Sequence, residues 1–186
     1  MQPAKQFSSA ELELSVEHIL ATPPDEGELH LIVQRPEVDQ RETPQQARLD
    51  VEQGLVGDNW RARGSGHMPD GAADPDMQLN IMNARVVQSV AGSEDRWALA
   101  GDQLYIDMDL SPENLPPGTQ LKLGDAVIEI TEPPHTGCKK FAARFGVDAM
   151  VFVNTGRGKQ LNFRGICAKV VKSGDIHVGD TARKLS

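Results

Sequence analysis

Apolar residues recur at every second position over much of the chain. Leu12, Leu14 and Val16 do so near the start, and Leu29, Leu31 and Val33 follow. Leu104, Ile106, Met108 and Leu110 repeat the pattern, and across 126–131 Ala126, Ile128 and Ile130 interleave with Val127, Glu129 and Thr131. Ile166, Ala168 and Val170 add a run near the C-terminus. Successive side chains of a strand point to opposite faces, so a period of two predicts half-buried strands. Between these runs the dipeptide Gly-Asp recurs at 57–58, 101–102, 124–125, 174–175 and 179–180. Glycine admits positive φ and aspartate forms local side-chain turns, so each pair marks a strand boundary. Short strands punctuated this way predict a mainly β fold, a barrel or a sandwich. No repeat of solenoid length is present.

Three helices interrupt the β pattern. Asn83 caps one that runs through Ala84–Val90 and is closed by Gly92. A second begins near Cys138 and ends at Gly146, with Cys138, Phe141 and Phe145 on one face. A third covers about Val147–Val153 and stops at Asn154-Thr155-Gly156. Residues 61–77, rich in glycine and proline, read as a long loop, and loops of that length are usually functional or disordered. The expected organisation is one domain over 1–186, with a core from about residue 15.

A chain of 186 residues can bury a core without a disulfide scaffold. Its 39% hydrophobic and 25% charged content is globular rather than disordered. With aromatics at 4%, the core must rest on Leu, Ile, Val, Met and Ala. The N-terminal stretch carries acids where a signal peptide needs an apolar run, and no window approaches the roughly 20 apolar residues that span a bilayer. A cytoplasmic location is expected, where Cys138 and Cys167 stay reduced.

The net charge of −8 disfavours nucleic acid and anionic membranes as partners. Its distribution is uneven. From Cys138 to Lys172 there are eight cations against the single acid Asp148, so the segment stands at +7 and the remainder at −15. A local positive field in an acidic protein suits a small anionic ligand. The plainer alternative is a set of solvated charges scattered over several faces.

The candidate chemistry lies in Pro133-Pro134-His135-Thr136-Gly137-Cys138-Lys139-Lys140-Phe141. Proline cannot donate to a ladder, so the preceding strand is expected to end at Pro133, and a helix is expected to start around Cys138. A thiol at a helix N-terminus meets free N–H groups and the positive end of the dipole, and Lys139 and Lys140 add charge nearby. These factors favour thiolate, the form that ligates metals or transfers sulfur. The competing reading is an inert core thiol on the Phe141/Phe145 face. Cys167, between Ile166 and Ala168, reads as structural. His135, Cys138, Cys167 and His177 number four potential zinc ligands, but they lack the paired knuckles of structural zinc sites.

PPHTGCKKF after an Ile/Val/Glu strand resembles the cysteine segment of the MOSC domain, the C-terminal module of molybdenum cofactor sulfurases. Gly54-Leu55-Val56-Gly57-Asp58 resembles that family's early GL-x-GD turn. Arg164-Gly165-Ile166-Cys167-Ala168-Lys169-Val170, followed by Gly174-Asp175-Ile176-His177-Val178-Gly179-Asp180, resembles its closing hairpin. The likeness runs in order from roughly Ser15 to the C-terminus. Asn59-Trp60, where many members have a basic residue or histidine, and Gly101-Asp102-Gln103-Leu104, where Gly-Glu-Asn-Leu is common, depart from the pattern.

The resemblance implies a closed or partly open β-barrel with a few short helices. It also implies a molybdenum-pterin cofactor with Cys138 as its metal ligand, or a sulfur atom carried on Cys138. Family members include proteins that reduce N-hydroxylated compounds and modules that handle sulfur without catalysis. On this sequence Arg164 is the candidate bidentate clamp on a phosphate or pterin, or else an exposed arginine at a strand start. Lys139, Lys140 and Arg144 would attract anions, with at least one of them only facing solvent. His135 would donate to an oxo group or shuttle a proton, or else be a turn residue packing on Pro134. Asp58 and Asn59 would hydrogen-bond the ligand, or simply form the turn. No intrinsic pyridoxal phosphate site is expected, because that cofactor belongs to a separate domain of the full-length sulfurases. Reductase activity would draw electrons from a separate protein, and carrier activity would need a sulfur donor.

Overall fold

The computed structural model describes residues 5–66 and 68–185. In chain order the first elements are helices α1 (Ser9–Glu13) and α2 (Val16–Leu20), strands β1 (Glu26–Ile32), β2 (Gln46–Asp50) and β3 (Gly54–Leu55), and helix α3 (Trp60–Arg63). Strand β4 (Leu79–Asn83), helix α4 (Ala84–Ala91) and strands β5 (Leu104–Ile106), β6 (Gln120–Leu123) and β7 (Ala126–Pro134) follow. Helices α5 (Lys139–Phe145), α6 (Val147–Asn154) and α7 (Gly156–Gln160) then lead to strands β8 (Ile166–Lys172), β9 (Gly174–His177) and β10 (Thr181–Lys184).

Seven strands close into a barrel in the order β1-β10-β6-β7-β8-β4-β5, with β5 returning to β1. The pairs are antiparallel except β4 with β5, which run parallel because α4 crosses between them. Closure leaves no strand edge in the barrel for another chain to pair with. Strands β3, β2 and β9 form a separate small sheet. The barrel interior is aliphatic, with Leu29, Ile81, Leu121, Ile128 and Ala168 among its buried residues. A second core lies outside the barrel, where α4, α5 and α6 bury Val87, Phe141, Phe145 and Val153 against Met82 and Tyr105. Among the described residues no helix is long and apolar enough to cross a membrane.

The fold is the expected β-barrel with short helices, but several local expectations fail. Leu12, Leu14 and Val16 lie in α1, at its end and in α2, not in a strand. Ser8 and Glu11 form a reciprocal capping box that starts α1. Leu12, Val16 and Ile19 then fall on one helical face and are buried, while Leu14 is 84% exposed. Alternation over three positions fits both periods, and the cap decides. Of the run from Leu104, only Leu104–Ile106 is regular strand. Beyond it the Asp107 and Asp109 N–H groups donate to the Glu28 and Pro23 carbonyls at 2.9 and 3.0 Å, while their side chains bind Arg85 and the Ser111 turn. Strand β7 does not stop at Pro133 but continues to Pro134, which sits opposite Ile166 after a register shift following Ile130. That irregularity interrupts the ladder, so the missing proline N–H costs no regular bond. The stretch 61–77 is not wholly loop, since α3 and a 3-10 turn at Pro75–Met77 occupy its ends.

Gly27 is a point of close approach in the barrel wall. A Cβ there would collide with the Asp107 carbonyl oxygen and the Met108 Cβ, because β1 crosses the β5 extension without room for a side chain. Gly27→Ala is expected to destabilise the fold by about 1–3 kcal/mol through overpacking. Urea denaturation measures this, and a midpoint equal to the unmodified protein's would refute it.

Candidate active-site cleft

Asparagine 154 sets the position of the cysteine turn. Its side chain accepts from the Gly137 N–H at 2.8 Å and donates to the Gly137 carbonyl at 3.1 Å. A Cβ on Gly137 would come within 3.0 Å of that amide, so glycine permits the clamp. Cys138 follows as the N-cap residue of α5 and is exposed, while Phe141 and Phe145 turn inward. The thiol therefore does not belong to the phenylalanine core.

Burial opposes ionisation of Cys138, but the backbone N–H groups of Phe141 and Lys140 and the charge of Arg164 outweigh it. The thiol is held below its ordinary value. Cys167 contrasts with it: burial and the nearby Asp102 carboxylate push that thiol up to about 12. Neither cysteine is in a disulfide.

Arg164 is fixed rather than free. It is only 5% exposed, although it stands at the mouth of β8. Its Nη1 donates to both Asp102 carboxylate oxygens, at 2.9 and 2.8 Å, and its Nη2 donates to the Ala100 carbonyl at 3.1 Å. The guanidinium stacks 5.0 Å from the Phe141 ring centroid. Its Nε is buried without a partner among the described residues. Burial works against the Asp102 carboxylate, yet Arg164 and His135 together hold it down at about 2.

A second pair repeats the motif. Arg35 forks onto Asp58, with Nε to Oδ2 at 2.7 Å and Nη2 to Oδ1 at 2.8 Å, and its Nη1 reaches the Gly101 carbonyl at 2.8 Å. The turn Ala100-Gly101-Asp102 thus holds both arginines. Gly101 has φ 96°, a conformation open to glycine. Asp58 also caps the turn, accepting from the Trp60 N–H at 3.0 Å.

Cys138, Arg35 and Arg164 line one cleft of about 210 Å³. Arg41, Arg63, Lys140 and Arg144 also line it, so six cationic side chains face two acids, Glu37 and Asp39. Arg41 is lowered from its usual value by burial, then by Arg144 and Arg35; Arg63 is lowered by burial and by Arg35. Guanidinium groups that weaken one another in this way are stabilised by an anion placed between them.

Sequence reasoning assembled part of this cleft. Cys138, Arg164, Lys140, Arg144 and Asn59 all line it. Asp58 lies beneath it, its side chain fully buried, and serves Arg35. Lys139 is exposed and does not line it. His135 also lies elsewhere, in a second cavity with Thr136, Asn154 and Lys159 on the far side of Arg164. Its Nε2 donates to Asp102 at 2.7 Å. The four candidate zinc residues do not converge, and among the described residues no group of three or more His, Cys, Asp or Glu could hold a metal ion. Arg35, Arg41 and Arg63 escaped the sequence reading, and Asp102 entered it only as part of a Gly-Asp turn and of a departure from the family pattern. For Asp102 the turn-forming interpretation of Gly-Asp hid a buried carboxylate. Nothing in the local sequence distinguishes the three arginines from surface ones.

Fold and site together define a small mixed β-barrel protein that presents an ionisable cysteine in a cationic cleft. The MOSC domain model matches residues 58–183, and the chain belongs to the MOSC domain family. That family is associated in general with the molybdenum cofactor. Among solved structures, one described as a hypothetical protein is similar with TM-score 0.57 and 18% identity, covering 87% of this chain and 69% of that one. The YuaD protein from Bacillus subtilis has TM-score 0.57 at 14% identity, over 87% of this chain and 97% of its own. YiiM from Escherichia coli has TM-score 0.53 at 18% identity, over 86% and 70%. Identities this low speak to the fold alone. No curated protein matches the chain in sequence.

Burial and the Arg164 charge push His135 below its ordinary value, although Asp102 opposes them. The folded protein therefore keeps this ring neutral where the unfolded chain protonates it, near pH 6.5. Stability from this site is complete above that pH and is lost as pH falls below it. His135→Gln is expected to show a flatter fall in melting temperature between about pH 7 and pH 5 than the unmodified protein. Parallel melting curves across that window would contradict the assignment.

Proposed function

We propose that the cleft binds the molybdenum cofactor, with the Cys138 thiolate as protein ligand to the metal, and that the protein uses it to reduce N-hydroxylated compounds. One observation carries this reading: the exposed thiol of lowered pKa lies in a cleft lined by six cations. Soft thiolate is a suitable donor for a thiophilic transition metal. The cofactor is anionic, and the cleft has the opposite charge.

The residues present fit such a group. Two polar atoms at the cleft, Asn59 Oδ1 and Arg164 Nε, are buried without hydrogen-bond partners among the described residues. Arg41 and Arg63 form no ion pair among the described residues, so they remain available to an anion. Arg164 and Arg35, locked by buried carboxylates, supply fixed positive charge that needs no rearrangement on binding. Arg41, Arg63, Lys140 and Arg144 would hold the anionic end. When bound, the cofactor would supply a centre that exchanges an oxygen atom and two electrons with substrate. Cys138 would anchor it, and the Asn154 clamp on Gly137 would keep the sulfur in place.

Metal analysis of protein purified from a host that makes the cofactor tests this directly. Stoichiometric molybdenum in the unmodified protein, reduced at least tenfold in Cys138→Ser, is the expected result. Metal-free protein whose Cys138 carries the mass of an added sulfur atom would overturn the reading and favour a sulfur carrier.

A further inference from the structure

The segment between Arg35 and Glu42 forms one wall of the cleft. Its base is pinned by the Gln34–Glu42 bridge, where each N–H donates to the other's carbonyl at 2.9 Å. Its tip is closed on itself by a bond from the Gln40 N–H to the Glu37 carbonyl at 3.2 Å. The tip reaches the body through Arg41, which donates to the Ala98 carbonyl at 3.3 Å, and through Asp39. One oxygen of Asp39, Oδ1, accepts from Lys140 Nζ at 3.3 Å and from Arg144 Nη2 at 3.1 Å.

Three features set Asp39 apart. Its two partners stand one helical turn apart on α5, so both project to the same side and into the cleft. Its backbone is left-handed, at φ 64°, a conformation that few residues other than glycine, asparagine and aspartate adopt readily. Its side chain remains 63% exposed, and exposed ion pairs are weak and easily exchanged. Val38 beside it is 73% exposed and lines the same cleft, so its side chain is not buried to anchor the tip. A carboxylate shared by two cations inside an anion-attracting cleft occupies the position that a ligand's oxyanion would take.

We propose that Asp39 is an internal competitor for that ligand: its carboxylate latches the 37–40 tip onto Lys140 and Arg144 and is displaced when a phosphate-like oxyanion enters the cleft. The latch gives the site selectivity by charge. A doubly charged oxyanion outcompetes one exposed carboxylate for two cations, whereas a singly charged group gains little over it. The proposal rests on the cleft being an anion site, as the cofactor reading requires, but it does not depend on molybdenum or on Cys138.

Isothermal titration calorimetry with inorganic phosphate tests it, on the full chain and on Asp39→Asn. Asparagine tolerates the left-handed backbone, and a thermal melt confirms that the variant is folded. Glu37→Gln controls for the loss of one negative charge, since Glu37 lines the cleft but its carboxylate pairs, among the described residues, with Gln40 and with no cation. The expected result is phosphate binding at least fivefold tighter in Asp39→Asn and changed less than twofold in Glu37→Gln. Hydrogen exchange at 37–40 should also rise when phosphate is added to the unmodified protein. Equal affinities in all three proteins, equal gains in both variants, or no phosphate binding in any of them would each overturn the latch. The cofactor reading is judged separately by molybdenum content, which the latch does not determine.

Discussion

The buried pair of Arg164 and Asp102 is the constraint on which the site depends. Two charges withdrawn from water are tolerated only when each is matched and hydrogen-bonded, and breaking such a pair by removing one partner costs about 3–5 kcal/mol. Asp102 meets this requirement with Arg164 on one side and His135 on the other. Arg164 meets it with Asp102, the Ala100 carbonyl and the Phe141 ring. The consequence is a guanidinium that cannot leave, placed where its field favours the Cys138 thiolate. The charge that tunes the sulfur is therefore that of a buried, paired arginine rather than of the exposed lysines that flank the cysteine in sequence.

The Arg35–Asp58 pair extends the same construction across the cleft. Both arginines bond to carbonyls of one turn, Ala100-Gly101, so β1, β5 and β8 contribute to a single rigid floor. Above it lie cations of another kind. Among the described residues Arg41 and Arg63 form no ion pair, and Lys140 and Arg144 share one exposed aspartate. Fixed charge below and exchangeable charge above is an arrangement suited to receiving an anion without reorganising the barrel. Arg35, Asp39 and Arg41 precede the part of the chain matched as MOSC domain, so the N-terminal segment completes the cleft.

Much of the architecture was legible in the sequence, because period-two runs and Gly-Asp punctuation are local signals. The strands at Glu26–Ile32, Ala126–Pro134 and Ile166–Lys172 and the helix capped by Asn83 follow from them. Leu12 to Val16 misled because five residues are too few to separate two periods, and the deciding signal was the Ser8–Glu11 box just upstream. The site was less legible. Cys138 stood out through its turn and basic neighbours, but the charge that lowers it comes from Arg164, 26 positions downstream. Gly101-Asp102 looked like another turn, since nothing nearby announces that Asp102 will be buried. Pairing of distant charges is decided by barrel closure, which no local pattern encodes.

The backbone N–H groups of Phe141 and Lys140, joined by Arg164 held on Asp102, lower the Cys138 thiol from its ordinary value. An ultraviolet titration of thiolate absorbance tests it most directly, comparing the unmodified protein with a double variant, Asp102→Asn with Arg164→Met, that removes both charges without stranding either. The Cys138 inflection is expected below that of an ordinary free cysteine, and it is expected to move up in the double variant. An inflection that stays in place when both charges are gone would contradict it.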